Sequence, residues 1–310
     1  MGLAAALGAM ATGNASAGPR VVILGTATPG GGFPVYGEAV AETINAVDHS
    51  LRVETRNTKG STDNVPMLEA GQLDIALVQG EVAHEALSGI GRPPANLRII
   101  TAMYGTPGMF VVRGDSPYHT IADLKGQPIA FGARGSGLVI LARYVLDGLG
   151  LDRDRDFQAI FLDQAGDGPA MVTDGRAAAL WGAGVGWPGF ATVARGPQGA
   201  RFIAPDAPGL RAIEVKHPFL KPMAIPARSY PGQEQPIESV GSWSLILAAP
   251  ALADDVAYRL ARALHLGEAD LARRLPQARE TTAANTAAAA PAGFIHPGVV
   301  RYLREIGVSR

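Results

Sequence analysis

Short apolar runs alternate with amphipathic segments in two successive sets, and this pattern restricts the chain more than any other feature. The first set opens at Val21-Val22-Ile23-Leu24, a β-branched run of strand length, followed by a Gly-rich loop and helical spacing over 36–47. Residues 51–55 alternate as a strand, 61–70 carry helical spacing up to Gly71, and Ile75-Ala76-Leu77-Val78 and 97–103 give two further strands. This order predicts an α/β fold with a mostly parallel sheet covered by helices.

The second set begins after Gly114. Thr120 and Asp123 have capping-box spacing for a short helix over 121–125, and 128–131 reads as a strand. Gly135-Ser136-Gly137 opens a helix to Asp147 that is apolar nearly all round and is therefore expected to be sandwiched on several sides. Strands over 157–162 and 178–181 enclose a helix near 169–172. The Pro-rich stretch 205–236 reads as irregular, followed by a strand over 244–248 and helices over 254–266 and 299–306. Lys59-Gly60-Ser61 and Arg134-Gly135-Ser136 each stand between a strand and a helix, one per set, as a two-lobed clamp would need.

Composition removes several function classes. A length of 310 residues suggests two domains or one large one, at roughly 150 residues per domain. Apolar residues at 47% supply a large core and exclude a disordered chain. Lys+Arg 27 against Asp+Glu 28 leaves no positive excess to neutralise a phosphate backbone, so no nucleic-acid partner is expected. The absence of cysteine excludes disulfides, thiolate metal sites and cysteine nucleophiles. Residues 1–17 are Ala-rich and end in Asn14-Ala15-Ser16-Ala17, which reads as the back half of a secretory signal cleaved after Ala17. It lacks a basic n-region, so the signal is read as incomplete. No later apolar run reaches the roughly 20 residues of a membrane span, and the expectation is a soluble exported protein.

Catalytic and cofactor motifs fail when tested. Walker A would need Lys where Gly31 stands, Trp187-Pro188 interrupts the spelling Gly184-x-Gly186-x-x-Gly189, and His84-Glu85 lacks the second His of a zincin helix. Ser136 lacks the flanking glycines of a nucleophile elbow. No cofactor or metal is expected. What remains is anion recognition by backbone at helix N-termini, where Gly60 and Gly135 allow close approach. Ser61 and Ser136 either cap their helices or donate to a ligand. Phe33, Tyr36 and Trp181 are candidate apolar walls, or ordinary core. Gln79 stands at the C-terminal end of a strand, where open sheets place ligands. Arg134 is either a carboxylate clamp beside the Gly135-Ser136 turn or an exposed loop residue.

In order and spacing, these residues resemble the TAXI family of TRAP-transporter solute receptors. The resemblance is carried by Gly25-Thr26-Ala27-Thr28-Pro29-Gly30-Gly31, by Asn57-Thr58-Lys59-Gly60-Ser61 with Asn64, and by Leu77-Val78-Gln79. It continues through Ile121-Ala122-Asp123-Leu124-Lys125-Gly126, Gly135-Ser136-Gly137, Ser229-Tyr230-Pro231-Gly232-Gln233 and His296-Pro297-Gly298. It implies a type II periplasmic-binding-protein fold, with lobe 1 from 18–110 and 246–310, lobe 2 from 111–245, and crossings near 108–112 and 240–245. It further implies a periplasmic, non-enzymatic receptor for a small organic anion such as a carboxylate or glutamate. The implied partner is a TRAP permease of small and large membrane subunits. Candidate ligand contacts are Thr26, Thr28, Gly31, Phe33, Tyr36, Gly60, Ser61, Asn64, Gln79, Arg134, Gly135, Ser136, Gly137 and Trp181. Two departures leave the ligand open: Arg134 stands where the family often has Pro, and Phe33-Pro34-Val35-Tyr36 replaces a tyrosine pair. A module feeding a membrane sensor, and an enzyme on the same two-lobed scaffold, are the competing readings.

Overall fold

The computed structural model describes residues 18–291 and 293–308, so the signal read over 1–17 lies outside the described residues. The chain first lays down β1 (Arg20–Gly25), α1 (Gly32–Val47), β2 (Leu51–Arg56), α2 (Ser61–Glu69), β3 (Ile75–Val78), α3 (Gly80–Ser88) and β4 (Arg98–Gly105). It crosses at Thr106-Pro107 into β5 (Gly108–Arg113), β6 (Pro128–Ala133), α4 (Gly137–Gly148), α5 (Arg153–Asp156) and β7 (Gln158–Leu162). Next come α6 (Gly168–Thr173), β8 (Ala179–Ala183), α7 (Pro188–Ala194), β9 (Ala200–Ile203) and α8 (Ala207–Lys216). The antiparallel pair β10 (Lys221–Ile225) and β11 (Ile237–Gly241) leads to β12 (Trp243–Ala248), and α9 (Asp254–Leu266), α10 (Glu268–Arg274), α11 (Ala283–Ala289) and α12 (Pro297–Glu305) follow.

The two five-stranded sheets have one topology. Their orders, β2-β1-β3-β12-β4 and β7-β6-β8-β5-β9, make β6, β7 and β8 the counterparts of β1, β2 and β3. In each sheet the fourth strand comes from beyond a crossing and runs antiparallel to both neighbours. The expected parallel sheet is thus met in strand direction, but an interior opposed strand makes half of the pairings antiparallel. This is a two-lobed α/β architecture of the type II periplasmic-binding-protein kind.

Apolar residues on facing elements explain the layers. On one face of the first sheet, Tyr36, Val40 and Ile44 of α1 pack with Val22, Leu24, Leu260 and Tyr302. On the other, Val65 and Leu68 of α2 meet Val82 and Ala86 of α3. In the second lobe, α4 buries Leu141, Val145 and Leu146 against Phe110, Phe131 and Ile213. It contacts β5, β6, β8, α8 and also α3 of the first lobe, as its all-round apolar surface predicts.

Two expectations need correction. The helix expected from residue 36 begins at Gly32, because Pro34 lies in the first turn, where a missing N–H costs no helical bond. The stretch expected to be irregular over 205–236 contains α8 and β10. Asp206 caps α8 through Oδ1, which accepts from Gly209 N–H at 2.8 Å, and Pro208 occupies its first turn. Pro222 lies on β10, half of a two-stranded pair with an open side, where proline is tolerated.

Candidate functional site

The loops after β1, β2, β3, β6 and β7 meet at one crevice between the lobes, at the strand ends where open α/β sheets bind ligands. The lobes touch across it. Gly166 N–H donates to the Pro29 carbonyl at 3.3 Å, and Ala165 N–H donates to Thr28 Oγ1 at 3.2 Å. Thr62 donates to the Gly135 carbonyl through its N–H at 3.1 Å and its hydroxyl at 2.9 Å. The clamp is closed. Its two basic-Gly-Ser turns are not symmetry mates: Gly60 follows β2, whereas Gly135 follows β6, the counterpart of β1. They press on each other instead, since a Cβ added to Gly60 would lie 2.8 Å from the Gly135 carbonyl oxygen.

Behind this contact lies a cavity of about 50 Å³. Of the residues singled out in the sequence, Thr28, Gly31, Phe33, Gly60, Ser61, Gln79 and Ser136 line it. Helices α1, α2, α3 and α4 all begin here, at Gly32, Ser61, Gly80 and Gly137. Each helix start carries a partial positive charge, worth about 0.3–1 kcal/mol toward an anion when exposed and up to about 2 when partly buried, although Thr62 of α2 and Leu138 of α4 already spend their N–H groups on Gly135 and Ser136. Ser61 does not cap α2; its Oγ accepts from Gln79 N–H at 3.0 Å. Ser136 does cap α4, accepting from Leu138 N–H at 3.2 Å.

Three donors at the cavity lack a well-formed hydrogen bond among the described residues. Gln79 Nε2 is buried and meets strict hydrogen-bond geometry with no acceptor, although its side chain faces the Glu81 carboxyl and favours its charged form. The Tyr104 hydroxyl and Trp187 Nε1 likewise make no hydrogen bond among the described residues, although these side chains are only 6% and 7% exposed. Burial pushes the Tyr104 phenol far above its ordinary pKa, so it keeps its proton and stays a donor. Among the described residues, no charged side chain lines the cavity.

The structure gives five of the proposed contacts other work. Thr26 Oγ1 donates to the Arg56 carbonyl at 3.2 Å, and Asn64 Nδ2 donates to the carbonyls of Thr26 and Leu77, both at 2.8 Å. These two hold the loops from behind. Tyr36 is buried, with its hydroxyl 2.9 Å from Thr281 Oγ1 and its ring edge-on to Tyr104. Trp181 is buried, donating from Nε1 to the Leu138 carbonyl at 2.9 Å. Arg134 is exposed, with its guanidinium 5.7 Å from the Phe161 ring centroid, so it is no clamp on this cavity. Gly135 and Gly137 serve close approach, since their added Cβ atoms would lie 2.7 Å from Lys59 Cβ and 2.5 Å from Gln79 Cβ.

Sequence reading missed Tyr104, Thr106 and Trp187. The glycine signal around Trp187 was visible but spelled the wrong motif. A Cβ at Gly182 or Gly189 would stand 2.5 Å from the Trp187 ring, so these glycines seat the indole. Tyr230 then fixes its backbone, accepting from Trp187 N–H at 2.9 Å and donating to the Gly184 carbonyl at 2.7 Å. At the second crossing, Ser242 Oγ donates to Glu81 Oε1 at 2.7 Å, and the Gln79 side chain also faces this carboxyl and favours its charged form. Burial pushes the Glu81 carboxyl up to about 7.

A model of the NMT1-like family matches residues 24–307. Among solved structures, the chain is similar to the periplasmic aliphatic sulphonate binding protein SsuA from Escherichia coli. The identity is 19%, over 92% of this chain and 83% of that one, with a TM-score of 0.51. A periplasmic transporter matches at 14% identity over 93% of both chains, TM-score 0.56. The periplasmic binding protein BugD matches at 16% over 84% of this chain and 87% of its own, TM-score 0.55. At these identities the likeness is one of fold. Among the described residues, no helix is long and apolar enough to cross a membrane.

Proposed function

The chain belongs to the NMT1-like family, and from that premise we propose that it is an extracytoplasmic solute receptor that closes over a small organic anion and delivers it to a membrane transporter. One observation carries this reading: the donors Gln79 Nε2, Tyr104 OH and Trp187 Nε1 converge, with no well-formed hydrogen bond among the described residues, on a cavity where four helices begin. A ligand rich in acceptor oxygens satisfies them all. Carboxylate and sulphonate both fit that requirement. The lining is poor in titratable groups, so capture without chemistry suits it better than an enzyme. Resemblance of the sequence to TAXI receptors supports a TRAP-type permease, with small and large membrane subunits, as the recipient, and export to the periplasm as the location.

A thermal-shift panel of carboxylates, sulphonates and neutral solutes tests the proposal. A bound acid at 100 times its dissociation constant should stabilise the protein by about 2.7 kcal/mol. Silence from every acid, with a shift from neutral solutes, would overturn the anion reading.

A further inference from the structure

We infer that this cavity selects a compact acid bearing one anionic group and no ammonium, and so rejects α-amino acids; the inference rests on the cavity being the solute site. The lining is one-sided in charge: it holds hydrogen-bonding groups but no anion. Gln79, Tyr104 and Trp187 supply side-chain donors and helix starts a partial positive charge, while the acceptors present, such as the Gln79 carbonyl and the Tyr104 hydroxyl oxygen, are neutral. An ammonium carries a full charge as well as three donors, so a buried one needs a carboxylate beside it. Among the described residues, neither Asp nor Glu lines the cavity.

Glu81 is buried two residues beyond Gln79, whose side chain faces its carboxyl. It is not part of the lining, and its Oε1 is committed to Ser242 at the crossing. Burial also pushes its pKa up to about 7, so at neutral pH it is only partly ionised. Lys59 and Arg134 are exposed and outside the lining, so a second carboxylate finds no counter-charge either. Phe33, Leu138 and Trp187 instead offer apolar contact to whatever hangs from the anionic group.

Titration calorimetry on the full chain with matched probes tests this: isovalerate against valine, phenylpropionate against phenylalanine, and each monoacid against glutarate and glutamate. An unpaired buried ammonium should weaken binding by at least roughly 100-fold within a matched pair. Gln79→Glu places a carboxylate in the cavity and should move the acid-to-amino-acid preference by at least roughly tenfold toward the amino acid. Tyr104→Phe, a milder change, should weaken the acid roughly tenfold without favouring the amino acid. Amino acids binding as tightly as their deaminated partners, or an unchanged preference in folded Gln79→Glu, would overturn this inference while leaving the receptor reading intact. If all acids, amino or not, fail to bind the folded protein, the receptor reading falls and this inference with it.

Discussion

Gln79 shows how far a single residue's role could be read from its place in the pattern. It ends a four-residue buried strand, and that end is where the topology puts a ligand. A buried donor left unpaired costs about 1–3 kcal/mol, which a ligand oxygen returns. Thr28, Gly31, Gly60, Ser61 and Ser136 were legible for the same reason, standing between strand and helix. Tyr36 and Trp181 were not, because the direction of a side chain follows from helix register and sheet pleat rather than from nearness in sequence. Val40 and Ile44 share the core-facing stripe of α1 with Tyr36, one helical turn apart, which turns the phenol toward Thr281. Trp181 and Trp187 therefore make opposite predictions. Ligand should change the fluorescence of Trp187, whose indole lines the cavity, and that change should vanish in Trp187→Phe and persist in Trp181→Phe. A signal lost only in Trp181→Phe would place the ligand elsewhere.

Among elements, α3 joins the site to the crossing, because Gln79 precedes it and Glu81 lies in its first turn. Gly80 makes that junction possible: an added Cβ would sit 2.1 Å from Ser242 Oγ. None of this was visible in the sequence, since Glu81 and Ser242 are 161 residues apart. The 205–236 stretch shows a different limit: counting prolines predicts irregularity, whereas their positions in a first turn and on an open strand edge are compatible with α8 and β10. Burial of Glu81 also makes a stability prediction. Its carboxyl titrates at about 7 when folded, against 4.5 for the free group. Between those values the unfolded chain loses its proton first, so stability is full below about 4.5 and falls as pH rises toward 7. The loss should amount to about 3 kcal/mol. Glu81→Gln should remove this dependence and gain stability near pH 8, as read from denaturant midpoints at pH 5 and pH 8. Parallel slopes for both proteins would show that Glu81 is not the titrating group.

For the whole molecule, the proposed capture depends on how tightly the two lobes can meet. The ring of contacts around the cavity includes an outer latch, where Glu85 of α3 accepts from Arg143 and, at 2.7 Å, from the Tyr144 hydroxyl of α4, while His84 stacks on Phe219 at 4.1 Å. Pairs this exposed contribute little individually, so shape at the inner contact decides closure. Gly60 is a poor test, because its φ of +120° would strain any side chain whatever the lobes do. Gly135 is the better one. An alanine there meets Lys59 Cβ and the Lys59 carbonyl oxygen, both at 2.7 Å and both in the opposite lobe, so the clash exists only when the lobes close. Gly135→Ala should melt like the parent without ligand. If the clash costs closure about 1.4 kcal/mol, affinity should fall roughly tenfold, since the competent population falls by that factor. Solution scattering supplies the second readout: saturating ligand should shrink the radius of gyration of the parent, and shrink it less in Gly135→Ala. Equal contraction and equal affinity in the two proteins would mean that the Gly60–Gly135 contact does not govern capture, and that the ligand enters a cavity already formed.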